Sequence, residues 1–208
     1  MYATVQDLRT EGVLEIVADD DRLTALLDEA SRLIDQVTGQ FFEPRLLVLR
    51  LPGRDAPSVY PPYHPIRIDE ASVWELPLDP SELDLEGAPV MPGSQGPRVT
   101  RMRGVFSIGA RNVRLVGLWG YTEPDGTPLG RTPLAIRRAA MLLVLRWLVP
   151  LGDDEELGQR GRRVIAESTR DQSIRYSDVA ASAHGLSDDP EVDALLAPYV
   201  RRSAMGAA

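Results

Sequence analysis

Most of the chain's 17 glycines and 17 prolines fall between residues 39 and 133. Proline lacks an amide donor and fixes φ, while glycine carries the largest backbone entropy cost, so this stretch is expected to be turn-rich and not a long helix. Short strands joined by turns are what remain. Arg45 to Leu51 is a Leu/Val-rich strand candidate that Pro52-Gly53 stops, and Tyr60 to Pro65, with three prolines, is a rigid extended crossing. Ile66 to Ile68, Ala71 to Leu76 and Val113 to Trp119 read as further strands. Leu83 to Leu85 and Arg98 to Arg103 are placed to pair around the loop from Ala88 to Pro97.

Helical patterns lie on both sides of this middle. Leu23, Leu26, Leu27, Ala30, Leu33, Ile34 and Val37 recur at helical spacing, with Asp28, Glu29, Arg32, Asp35 and Gln36 opposite them. Asp19, Asp20 and Asp21 supply a cap and negative charge at the N-terminal dipole, and Gly39 suits the left-handed residue beyond the C-terminus. Thr4, with Asp7 three residues on, starts a shorter helix that Gly12 ends. Thr132 as cap and Pro133 as first helical residue predict a helix to about Val149, with Ile136, Ala139, Ala140, Leu143, Val144 and Trp147 as its apolar stripe. That helix is expected to pack on the one from Asp20. Pro190 leads a last short helix on which Val192, Leu195, Leu196 and Tyr199 share a face.

The predicted class is therefore α+β. A small helical bundle, with helices near 4–11, 20–38, 133–149 and 190–199, carries an inserted antiparallel sheet over about 45–121. Residues 1–164 are expected to form the domain, and the polar stretch 165–208 an extended arm ending in the short helix.

The chemistry available is narrow. All 23 basic residues are arginine, which removes Schiff-base and P-loop lysines, and the absence of cysteine removes thiolate nucleophiles and thiolate zinc sites. His64 and His184 have no helically spaced ligand partners, and neither a G-x-S-x-G elbow nor a phosphate-binding glycine loop occurs. No catalytic residue, metal site or cofactor is expected. The net charge of −8 argues against general affinity for DNA phosphates. Met1 to Thr4 does not open a leader, and no apolar run approaches the ~20 residues of a membrane span, so an unexported, soluble protein without membrane contact is expected.

Taken in order, several segments resemble the head-tail adaptor (connector) family of tailed bacteriophages, which also occurs in gene transfer agents. They are Thr4-Val5-Gln6-Asp7-Leu8, the helix Leu26 to Asp35 followed by Thr38-Gly39-Gln40-Phe41-Phe42-Glu43-Pro44, and Gly117-Leu118-Trp119-Gly120-Tyr121. The Pro-led helix after Thr132, the stretch Glu167 to Tyr176 and the ending Asp189 to Tyr199 complete the series. The resemblance implies a virion protein that assembles in the host cytoplasm into a neck ring, usually of twelve copies. Such a ring lies between the portal and the stopper or tail proteins, and double-stranded DNA passes through it without sequence-specific binding. A weakly held segment of this kind is what a subunit in such a ring would use to grip its neighbour, so the arm is expected to face the portal, with Val192, Leu195, Leu196 and Tyr199 as apolar anchors and Arg201 and Arg202 pairing with acidic groups, unless the short helix docks its apolar face on its own core. In the first case removing residues 186–208 should spare folding and abolish portal binding. The inserted sheet departs from the smallest, almost wholly helical members. Two other readings stand beside this one: a stopper or tail-completion protein, and a metal-dependent hydrolase with a dispersed acidic site.

Overall fold

The computed structural model describes residues 1–91, 94, 96–148, 164–166, 175–176, 187 and 189–201. Helices and antiparallel sheets make it an α+β protein, as the sequence predicts. Two compact units divide the chain: Ala3–Gly39 joins the described residues of Ala135–Ala208, while Gln40–Leu134 takes in Tyr2.

The helical unit is built on strong local signals. Helix α1, Val5–Thr10, opens with a capping box: the Asp7 amide donates to Thr4 Oγ1 at 3.2 Å and the Thr4 amide to Asp7 Oδ2 at 2.8 Å. Helix α2, Asp20–Thr38, is capped by Asp19, whose Oδ1 accepts from the Arg22 amide at 2.8 Å, and ends at Gly39 with φ of 67°. Its buried stripe is Leu23, Leu27, Ala30, Ser31, Ile34 and Thr38. Ser31 and Thr38 enter that stripe because their hydroxyls donate back to the carbonyls of Leu27 and Ile34, each at 2.7 Å. Helix α3, Leu134–Trp147, buries every residue from Ala139 to Val144, as a helix at the centre of a unit must. The predicted Thr132 cap does not form. Thr132 Oγ1 instead donates to the Phe42 carbonyl at 2.9 Å, and the Leu134 amide is met by Glu123 Oε1 at 3.3 Å, so a neighbouring loop does the capping. Helix α4, Pro190–Leu196, continues into a 3₁₀ turn, Ala197–Tyr199.

The second unit holds seven strands among its described residues: β1 Arg45–Gly53, β2 Ser58–Val59, β3 Pro65–Val73, β4 Leu76–Leu78, β5 Leu83–Glu86, β6 Arg98–Arg101 and β7 Gly109–Trp119. One sheet runs β1-β7-β3-β4 and the other β2-β6-β5, and all named pairings are antiparallel. β5 pairs with β6 across the Pro/Gly-rich loop as the sequence predicts. Leu51, Ile68, Val113, Leu115 and Trp119 of the first sheet and Val59, Leu83 and Val99 of the second share one core with Phe106. In the stretch expected to be extended, β8 Val164–Ala166 and β9 Arg175–Tyr176 pair antiparallel.

The predicted strand from Ala71 to Leu76 is two strands. The chain reverses at Trp74-Glu75, with φ of 52° and 66°, and Val73 pairs with Leu76 across this two-residue turn. Such turns favour Asn-Gly, so Trp-Glu carries no sequence signal for one. Ile66 to Ile68 and Ala71 instead belong to one continuous β3, whose register against β7 shifts between Pro65 and Arg67 and again between Ile68 and Glu70.

Candidate interaction surfaces

The residues singled out for chemistry have structural work. His64 is buried, its ring edge-on to Tyr121 at 4.9 Å, and its carbonyl accepts from the Gly120 amide at 2.9 Å. His184 lies outside the described residues. Of the acidic run, Asp19 caps α2 and Asp20 pairs with Arg9, and no grouping of three or more potential ligands occurs among the described residues. In Gly117 to Tyr121 the glycines serve backbone proximity: Gly117 lies under the Arg67 carbonyl of β3, and Gly120, with φ of 154°, lies against the Glu43 carbonyl. No helix among the described residues is long and apolar enough to cross a membrane.

The C-terminal anchors divide by position. Val192 and Leu196 are fully buried, Leu195 and Tyr199 are half-buried, and Arg201 is exposed. Arg202 lies outside the described residues. Polar contacts hold this segment to the helical unit: Arg146 Nε donates to Asp189 Oδ2 at 2.7 Å, Arg146 Nη2 to Glu191 Oε2 at 3.2 Å, and the Arg201 amide to the Thr38 carbonyl at 3.0 Å. Asp189 also accepts from the amides of Glu191 and Val192 at 2.9 and 3.3 Å.

Burial pushes the Asp189 carboxyl up, but the Arg146 guanidinium and these amides outweigh it and hold it below the ordinary value. Asp7 has the same balance, burial being opposed by the Thr4 amide and hydroxyl and by Arg137. A depressed folded-state pKa stabilises above the unfolded value and loses that contribution as pH falls through the folded one. The melting temperature should therefore drop as pH goes below about 4. Asp189→Asn should flatten that acid limb, read by circular dichroism melts over a pH series.

Three exposed apolar features have only faint signals in the sequence. The first is the turn between α1 and α2, where Leu14, Ile16 and Val17 face solvent and Ile16 is 92% exposed. Its signal is five aliphatic residues between Gly12 and Asp19 with neither helical nor strand period. The second is the outer face of β1–β7. Leu46, 67% exposed, and Val48 pair with the half-buried Leu118 and Val116. Here the signal is that Leu46 to Leu49 is aliphatic on both faces, although this strand is buried on one only. The third is Trp74, 59% exposed on its turn, with its ring against Gly109.

No protein-family profile matches the chain, and no curated protein matches it in sequence. Solved structures do match in fold. One is a chain in the neck of an empty gene transfer agent particle computed with C6 symmetry, with a TM-score of 0.56 and 14% identity over 99% of this chain and 93% of that one. Another is a chain in the virion of the native gene transfer agent particle, with a TM-score of 0.51 and 16% identity over 91% of this chain and 82% of that one. Buried glycines, bulged strands and capped helices thus build a fold shared, nearly end to end, with chains of the neck and virion of a gene transfer agent.

Proposed function

We propose that the chain is a structural neck adaptor: it forms a ring of copies between a portal and the stopper or tail proteins and surrounds the passing DNA. The observation that carries this reading is the fold likeness to a chain of a gene transfer agent neck, which extends over 99% of this chain. A net charge of −8 suits a wall along which DNA must move without sticking. Solid aliphatic surfaces left in water suit a subunit that completes its burial in an assembly.

In this reading Leu195, Tyr199 and Arg201, with Arg202, meet the portal, on a helix that Val192 and Leu196 hold in place. Arginine and tyrosine at such a contact supply planar donors and low-entropy contact area. Electron microscopy of the intact particle is the test. Density for this chain should lie in the neck, in contact with the portal; absence from the particle, or a place outside the neck, overturns the proposal. Contact with the portal only through another protein would assign it to the stopper or tail-completion class.

A further inference from the structure

The turn between α1 and α2 is exposed by construction. Arg9 Nη1 donates to the Val13 carbonyl and Nη2 to the Ala18 carbonyl, each at 3.0 Å, and the same guanidinium pairs with Asp20. The Val17 amide closes the turn on the Leu14 carbonyl at 3.0 Å, while Val13 and Ala18 are buried at its two ends. One arginine thus clamps a knuckle that presents Leu14, Ile16 and Val17 to water, so little ordering entropy is left to lose on docking. Its rim is acidic: Glu15, Asp19 and Asp21 are exposed, and Glu15 and Asp21 have no ion pair among the described residues.

The outer face of β1–β7 is complementary. Across the ladder Leu46 faces Leu118 and Val48 faces Val116, giving an aliphatic patch. The next pair is Arg50 and Arg114, two like charges directly opposite, an arrangement that costs stability unless an anion joins it. Arg114 is answered by Glu70 Oε2 at 2.9 Å, whereas Arg50 has no anionic partner among the described residues.

We infer that the knuckle Leu14–Val17 of one copy seats on the Leu46/Val48/Val116/Leu118 face of a second copy, with Glu15 and Asp21 toward Arg50. Because two different patches meet, the contact is head-to-tail, the kind whose repetition closes a ring. The inference rests on the ring reading and names the surfaces that make it.

Absence of cysteine from the chain makes the test clean. Full-length copies carrying Ile16→Cys and copies carrying Val48→Cys are mixed under mild oxidation and resolved without reductant. The mixed disulfide dimer should exceed the product of either copy alone by about tenfold, and Arg50→Glu in the Val48→Cys copy should lower it by about as much. Glu15→Arg in the other copy should then restore it. Melting curves of each variant check that these exposed substitutions leave folding intact. The inference is overturned by self-paired dimers at equal yield, by no mixed product, or by a mixed product indifferent to Arg50→Glu. It is also overturned if a chain carrying both Ile16→Cys and Val48→Cys closes only within itself. Location of the chain in the neck by microscopy stands or falls separately, so failure here is not failure of the neck reading.

Discussion

Gly117→Val should strongly destabilise the β unit. Gly117 sits two residues before the end of the central strand β7, between Leu47 of β1 and Ile68 of β3, where β3 shifts register. A Cβ there would lie 2.8 Å from Ile68 Cα and 2.9 Å from the Arg67 carbonyl carbon, and closer still to that carbonyl oxygen. The obstacle is backbone on a central ladder, so no side chain can rotate away to make room. Overpacking typically costs about 1–3 kcal/mol, and an obstacle made of backbone belongs at the upper end of that range, a large share of a domain stability of about 5–15 kcal/mol. Near-ultraviolet circular dichroism should report it, since Trp119, two residues on, is fully buried in the same core. A variant melting within a few degrees of the parent would show that β3 can move aside.

Leu196→Ala should destabilise the helical unit by about 2–5 kcal/mol, the usual cost of a cavity at a fully buried leucine. Leu195→Ala and Tyr199→Ala, at half-buried positions, should cost far less stability and should instead weaken portal binding. Chemical denaturation of the three variants, together with a portal pull-down, separates the roles. This changes what truncation should do. Removing residues 186–208 takes away buried Val192 and Leu196 and both carboxylates that meet Arg146, so the shortened chain should unfold more readily instead of folding unharmed. Equal stability of Leu196→Ala and the parent would return these residues to partner docking.

Elements whose signals are local were legible in the chain itself. The Thr4 box, the Asp19 cap and the left-handed Gly39 are short-range hydrogen bonds and backbone preferences, so residue order was enough to place α1 and α2. The pairing of Leu83–Glu86 with Arg98–Arg101 was legible because one Pro/Gly-rich loop leaves the flanking strands few alternatives. The turn at Trp74-Glu75 was not legible. Its two positive φ values run against local preference, and the Trp74 amide donation to the Asn112 carbonyl at 3.0 Å helps to hold it. Thr132 misled for a related reason: a good capping residue was given a better long-range acceptor in Phe42.

The surfaces divide in the same way. Aliphatic patterning identified Val192 and Leu196 as members of a face, but pattern alone does not distinguish a face buried in its own unit from one kept for a partner. Leu46 and Val48 present the opposite case, alternating residues of an apolar strand that remain in water because nothing among the described residues covers that side.

By itself, then, the sequence determined the α+β class, the ends of α1 and α2, the turn-rich middle and the exclusion of lysine and cysteine chemistry, all of which depend on composition or on neighbours a few residues apart. Only the tertiary structure decided that α4 is anchored from within, that Arg9 clamps an aliphatic knuckle and that one sheet face stays open. Burial depends on what distant segments bring to a residue, and no local spacing records that.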